Sequence, residues 1–167
     1  ITKEELLTQM SEDIGELAEK IGITKEQAIE KLKEHYDGYH FSGESPDIFN
    51  PYSLLNCFNE KKFGSYWFAS GTPTYLINMM RKFDVIPSDI TRVEADASEF
   101  DAPTENMTTI MPLLYQSGYI TIKDYNQEYN YYTLDIPNKE VKDIILHLNF
   151  AHRLLSRCGG TYPKRQS

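Results

Sequence analysis

The sequence lacks the features of a membrane-spanning or disulfide-stabilised protein. No apolar run approaches the roughly 20 residues that a membrane-spanning helix needs. Its two cysteines, Cys57 and Cys158, lie far apart and form neither a disulfide framework nor a metal-binding spacing. We therefore expect a cytoplasmic protein that makes no membrane contact. Because the first residue is Ile1 rather than Met, we also expect the chain to belong to a longer polypeptide.

Positive charge is also scarce. The 167 residues include 17 Lys and Arg against 25 Asp and Glu, and the formal net charge is −8 at pH 7. Nucleic acids and anionic membranes attract a positive field, so this balance argues against general binding to either. The chain is nevertheless 40% hydrophobic and 13% aromatic, which is enough to form a packed core.

The run GYHFSGES at residues 38–45 is close to the phosphate-loop pattern G-x-x-x-x-G-K-[ST]. Glu44 occupies the lysine position, and its negative charge would repel the phosphates that such a loop binds. A phosphate loop also follows a strand, whereas this run follows a predicted helix. We therefore predict that this chain has no phosphate loop of its own.

His35, Asp37 and His40 lie in the same region and could suggest a metal site. They straddle the end of a predicted helix instead of sharing one helical face, as the two histidines of H-E-x-x-H do. A small metal-dependent hydrolase built on them is an alternative, but we predict no metal site. The G-x-S-x-G pattern is absent and Cys57 has no neighbouring histidine, so we predict no catalytic residues in this chain.

Helical periodicity and capping patterns dominate the first half of the sequence. Thr2 with Glu5 and Thr24 with Gln27 form capping boxes, and Gly22 is a helix-ending glycine. Ser11 could divide the first helix into two. The predicted buried residues of these helices are Leu7, Met10, Ile14, Leu17 and Ile21, then Ala28, Ile29, Leu32 and Tyr36.

Two Asn/Thr-Pro pairs predict the starts of further helices, at Asn50-Pro51 and Thr72-Pro73. The first of these helices is indicated by Leu54, Leu55 and Phe58, and the second by Tyr75, Leu76, Met79, Met80 and Phe83. Tyr66, Trp67 and Phe68 between them are predicted core aromatics. The acidic stretch between Arg92 and Lys123 is interpreted as a solvated surface.

The last third of the sequence predicts strands as well as helices. Residues 106–117 predict a helix, residues 119–125 and 129–135 predict a β-hairpin, and Pro137-Asn138 starts another helix. Ile120 and Ile122 would form one buried face with Tyr132 and Leu134, and Val141, Ile144, Ile145 and Leu148 the buried side of the last helix. Helix, hairpin and helix in this order outline a winged-helix unit.

We therefore predict a mainly α fold with three parts. Residues 1–100 form a helical lid-like segment, residues 101–156 a winged-helix-like unit with one β-hairpin, and residues 157–167 a flexible tail. DNA binding is the usual function of a winged helix. However, the helix before the hairpin has no Lys or Arg to contact phosphates. DNA binding therefore remains an alternative to a protein-packing role.

Several longer motifs resemble one known family. They are YDGYHFS at residues 36–42, NPYSLLN at 50–56, YWFASGTPTYLI at 66–77, LLYQSGYITIKDY at 113–125 and YTLDIPNKEV at 132–141. Through them, the chain from Ile1 to Val141 resembles the C-terminal part of the ATPase-like region in the AAA-ATPase-like family of Bacteroidetes. Members of this family have a P-loop ATPase core, a helical and winged-helix-like region, and often a PD-(D/E)XK-like domain.

The resemblance implies a function for the longer polypeptide. ATP and Mg²⁺ would bind an ATPase core upstream, and a nuclease-like domain could follow downstream. This chain would be a non-catalytic lid or regulatory module that couples nucleotide state to a partner domain. Tyr36, Asp37, Gly38 and Tyr39 would be candidates for the joint between lid and core, and Gly71-Thr72-Pro73 would be a second rigid turn.

Overall fold

The computed structural model describes residues 1–40, 42, 45–69 and 74–158, without the side chains of residues 68, 106 and 150–158. The mainly α prediction is confirmed in this part of the chain. The helices are α1 (Lys3–Gln9), α2 (Ser11–Ile21), α3 (Lys25–Tyr36), α4 (Pro51–Glu60), α5 (Tyr66–Ala69), α6 (Thr74–Lys82), α7 (Ala97–Phe100), α8 (Met111–Gln116) and α9 (Lys139–Cys158). Short 3-10 helices cover Pro87–Ile90 and Thr104–Asn106. Of the described helices, none has the length and apolar character needed to cross a membrane.

Local capping explains where most of the N-terminal helices begin and end. Both predicted capping boxes form, at Thr2 and at Thr24. Gly22 ends α2 with a left-handed φ of 74°, a conformation that glycine adopts without steric cost. The Asn50 side chain accepts hydrogen bonds from the first amides of α4, where Pro51 needs no partner for its nitrogen. The predicted division at Ser11 is also present.

Three apolar residues of the predicted helices are exposed, among them Leu7 of the predicted apolar stripe. Leu7, Leu55 and Tyr75 are 40%, 52% and 58% exposed. The break between α1 and α2 explains the first error, because α1 follows its own direction and buries Leu6 instead. In α4, the buried face comprises Ser53, Leu54, Cys57 and Phe58, so Leu55 lies beside it.

The helix predicted over residues 106–117 is too long. Only residues 111–116 are α-helical, and Pro112 lies in the first turn. Proline has no N–H for an interior helical hydrogen bond and clashes with the preceding turn, so the helix cannot extend far before it. Thr72-Pro73 lies outside the described residues, and so does the side chain of Phe68.

The predicted hairpin is part of a three-stranded antiparallel sheet. Strands β1 (Val93–Ala95), β2 (Thr121–Asn126) and β3 (Tyr131–Asp135) are arranged in the order β1-β3-β2. β1 was not predicted. The pairing register shifts between Ile122 and Asp124, so Lys123 lies at a bulge. Bulges redirect side chains, and this one accompanies a long-range contact of Lys123 described below.

Buried apolar residues form two clusters that follow the two halves of the chain. The N-terminal cluster extends from Leu6 to Phe58, and the C-terminal cluster from Leu76 to Leu148. Ile120, Ile122 and Leu134 of the sheet belong to the second cluster, as do the four predicted residues of α9, Val141, Ile144, Ile145 and Leu148. The predicted boundary at residue 100 stays a prediction, although β1 on its N-terminal side pairs with β3.

Candidate functional site

The residues implied by the resemblance lie where the two apolar clusters meet. We name residues 36–40 the junction segment, because it follows α3 and passes from one cluster to the other. Tyr36 is fully buried in the N-terminal cluster, whereas Tyr39 packs against the C-terminal cluster. Whether the segment also contacts an ATPase core stays a prediction.

Tyr36 fixes the start of the junction segment. Its hydroxyl donates a hydrogen bond to the Gly64 carbonyl at 2.9 Å and accepts one from the Gly64 N–H at 3.0 Å. Its ring stacks on Phe63, with 6.1 Å between centroids. Burial raises the pKa of Tyr36 far above its ordinary value. The hydroxyl therefore remains protonated, and the end of α3 is held firmly in the N-terminal half.

Gly38 brings the backbones of the two halves into close approach. Its φ is +94°, and a Cβ at this position would overlap the Pro137 carbonyl oxygen. Lys123 Nζ donates to the Gly38 carbonyl at 2.7 Å and to the Pro137 carbonyl at 3.1 Å. One ammonium group from β2 thus joins the junction segment to the residues that precede α9.

Burial lowers the pKa of Lys123, and nearby carboxylates oppose this effect. The carboxylates are those of Asp47, Asp135 and Asp37. They favour the charged ammonium, which is the form that donates to both carbonyl oxygens. The cation of the predicted wing is therefore engaged within the protein.

Asp37 and Asn138 form a second connection between the halves. Asn138 Nδ2 donates to the Asp37 carbonyl at 2.9 Å, while Asn138 Oδ1 accepts from the Val141 N–H at 3.1 Å and caps α9. The Asp37 carboxyl is buried, and its Oδ1 has no hydrogen-bond partner among the described residues. Burial raises the pKa of this carboxyl.

The end of the junction segment pairs with neighbouring backbone. Tyr39 and Ile48 exchange two backbone hydrogen bonds, of 3.2 and 2.9 Å. Thr121 Oγ1 accepts from the His40 N–H and donates to the His40 carbonyl, both at 2.9 Å. The Tyr39 hydroxyl is buried near Asn50 and Asn138 but outside hydrogen-bonding geometry with any described group.

A small apolar cavity lies beside the junction segment. Its volume is about 220 Å³, and its lining residues are Tyr39, Ile48, Phe49, Asn50, Pro51 and Trp67. Trp67 also packs on Tyr119, with 4.9 Å between ring centroids. Tyr39 and Trp67 of this lining pack against the C-terminal cluster, whereas Phe49 belongs to the N-terminal cluster.

The candidate metal residues have separate partners. His35 Nδ1 lies 2.8 Å from the Lys31 carbonyl, and its ring packs on Phe63. His40 Nε2 instead lies 2.5 Å from Asp47 Oδ1. Across the described ranges, no three His, Cys, Asp or Glu side chains are grouped so as to hold a metal ion. Gly43 and Glu44 of the phosphate-loop pattern, and Gly71-Thr72-Pro73, lie outside those ranges.

Sequence reasoning missed Lys123 and Glu140 as contacts between the halves. Glu140 is 1% exposed and accepts hydrogen bonds from Ser53 Oγ in α4 and the Trp67 N–H in α5, both at 2.9 Å. An acidic residue in the first turn of a helix is usually explained by the helix dipole. In the sequence, the one signal that Glu140 is buried was its position directly before Val141, a predicted buried residue.

Comparisons with known proteins give one informative similarity. No family model and no solved structure matches the chain. The chain is 30% identical over 115 residues to a protein of Azotobacter chroococcum mcd 1 that is described as an uncharacterized protein in the vnfD 5′ region. The alignment covers 68% of this chain and 22% of that relative, so the chain spans about a fifth of the relative's length.

Proposed function

We propose that this chain is a non-catalytic lid or regulatory module of a cytoplasmic AAA-like ATPase, in which it couples nucleotide state to a partner domain. The observation that carries the proposal is the double connection at the junction segment. Lys123 and Asn138 from the C-terminal half bind the carbonyls of Gly38 and Asp37. A rotation of one half would break several of these hydrogen bonds together.

Coupling of this kind requires two arrangements with different contacts. The junction segment offers suitable contacts, because three of its residues accept hydrogen bonds through their carbonyl oxygens from side chains of the C-terminal half. These residues are Asp37, Gly38 and His40. In the proposed protein, ATP and Mg²⁺ bind an ATPase core elsewhere in the polypeptide. A relative in which the matched region is 22% of the length is compatible with a module inside a larger protein.

The proposal can be tested in the full-length protein by measuring ATP turnover. Lys123→Met retains most of the apolar stem but removes both hydrogen bonds to the junction, so we expect turnover to change several-fold. Lys142→Met on the exposed side of α9 is the matched control and should leave turnover unchanged. The isolated chain should not hydrolyse ATP. Turnover by the isolated chain, or equal turnover in both variants, would contradict the proposal.

The DNA-binding alternative has less support. Helix α8, the one before the hairpin, has the sequence MPLLYQ and contains no Lys or Arg. Lys123 of the hairpin is directed to two backbone carbonyls instead of solvent. Neither α8 nor Lys123 therefore offers a cationic group for phosphate contacts.

A further inference from the structure

Glu140 connects three helices through one carboxyl oxygen. Its Oε1 accepts from Ser53 Oγ of α4 and from the Trp67 N–H of α5, while Glu140 itself lies in the first turn of α9. Its Oε2 is also buried and has no hydrogen-bond partner among the described residues. The carboxyl therefore joins the C-terminal half to two elements that precede it, with one oxygen unused.

The surroundings of Glu140 contain groups that are neutral near pH 7. They are Tyr36 from α3, Tyr39 from the junction segment, Cys57 from α4 and Tyr66 from α5. Burial raises the pKa of each, that of Cys57 to about 11. No Lys, Arg or His of the described residues is among the groups that shift the pKa of Glu140. An ionised Glu140 would therefore be a buried charge without a cation, stabilised by the hydrogen bonds from Ser53 and Trp67 but not neutralised.

We propose that Glu140 is a proton-dependent switch: its protonated carboxyl holds α9 against α4 and α5, and its ionisation favours separation of these helices. Burial raises the pKa of Glu140, although the hydrogen bonds from Trp67 and Ser53 oppose this effect. In the separated arrangement, exposure to solvent returns the pKa of Glu140 to its ordinary value of 4.5. This switch would operate with or without a nucleotide, so it is independent of the proposed coupling function.

The direction of the pH effect follows from the pKa of Glu140, which is raised in the closed arrangement and ordinary in the separated one. The closed arrangement binds the proton more tightly than the separated one. The stability of the closed arrangement is therefore complete below pH 4.5 and decreases as the pH rises from there through the raised pKa of Glu140. Within this window, the equilibrium constant for separation should rise by up to about tenfold per pH unit.

Trp67 provides a direct probe of this contact. It is the one tryptophan in the sequence, and its backbone N–H binds Glu140. We expect acrylamide quenching of Trp67 fluorescence in this chain to increase as the pH is raised from about 4 to 8. Glu140→Gln keeps a carbonyl acceptor but cannot ionise, so its quenching should stay low and constant. Asp143→Asn, on the same helix at a side chain that is 43% exposed and pairs with Lys139, should behave like the wild type.

A pH response in Glu140→Gln equal to that of the wild type would overturn the proposal. A second variant keeps the test decisive if Glu140→Gln does not fold. Ser53→Ala retains Glu140 but removes a hydrogen bond that lowers its pKa, so the upper end of the transition should move to higher pH. An unchanged transition in Ser53→Ala would also overturn the proposal.

Discussion

At the scale of single residues, Gly38 is the position where the two halves approach most closely. Two independent constraints act there. Its positive φ is disfavoured for residues with a Cβ, and the space that a Cβ would need is occupied by the Pro137 carbonyl oxygen. The glycine of the YDGYHFS motif is therefore explained by a contact with a residue about a hundred positions away, rather than by a phosphate.

Gly38→Ala should lower the free energy of unfolding by about 2–4 kcal/mol, because left-handed strain adds to a steric clash. Urea denaturation measures this change. Gly15→Ala is the matched control, since no atom beyond the neighbouring backbone of its own helix lies within 4 Å of the position that an alanine Cβ would take there. Gly15 lies inside α2, where alanine is the better helix former, so this control should raise stability by about 0.5–1 kcal/mol. Equal effects of the two substitutions would be inconsistent with a close approach at Gly38.

Lys123→Met should lower the free energy of unfolding by about 1–3 kcal/mol, since it leaves the Gly38 and Pro137 carbonyl oxygens without their shared donor. Lys142→Met, which changes an exposed lysine, should alter stability by less than about 0.5 kcal/mol. The same denaturation experiment measures both. A Lys123→Met variant as stable as the control would show that the two hydrogen bonds contribute little to holding the halves together.

At the scale of elements, Asn138 has two roles that a simple helix cap does not combine. It caps α9 through Oδ1 and binds the junction segment through Nδ2. The Thr24 cap of α3, by comparison, forms its hydrogen bonds within the exposed start of one helix. Comparing the two positions therefore separates capping from the contact between the halves.

Thr24→Ala should reduce the free energy of unfolding by about 1 kcal/mol, the typical value for a lost cap. Asn138→Ala should cost about 1–2 kcal/mol more, because the buried Asp37 carbonyl also loses its donor. Thermal and urea denaturation of both variants provide the measurement. If the two variants lost equal stability, the contact between Asn138 and Asp37 would have no energetic role.

The elements also show what the sequence can and cannot predict. Helix starts at Thr2, Thr24 and Asn50 depend on side chains within three residues of the amides that they bind, so local patterns identify them. β1 has three residues, too few for a periodic signal, and it forms because β3 offers an edge. Helix α8 is short because one proline limits its start.

The contacts of the candidate site are long-range, which explains why several were missed. Lys123 binds a carbonyl 85 residues away, and Glu140 binds a hydroxyl 87 residues away. A buried carboxyl between two lysines in the sequence KEVK is indistinguishable from a solvated one until the helix is packed. The resemblance implied a role for Tyr36, Asp37, Gly38 and Tyr39 at an ATPase core, which stays a prediction, and it implied no role for Lys123 or Glu140.

At the scale of the whole molecule, the net charge of −8 is the property most relevant to the DNA-binding alternative. We expect no saturable binding to duplex DNA even at about 50 mM salt, where phosphate contacts are strongest. Fluorescence anisotropy of a labelled duplex provides the measurement. Tight binding that weakens steeply as salt is added would favour the DNA-binding function over the regulatory module.

Hydrogen exchange at the junction segment of the full-length protein, with and without Mg·ATP, tests most directly whether the two halves respond to nucleotide. We predict that nucleotide changes the protection of residues 36–40 and of the first turn of α9, and that Lys123→Met abolishes this change while Lys142→Met preserves it. Nucleotide that binds the protein yet leaves exchange in both regions unchanged would contradict the proposed coupling.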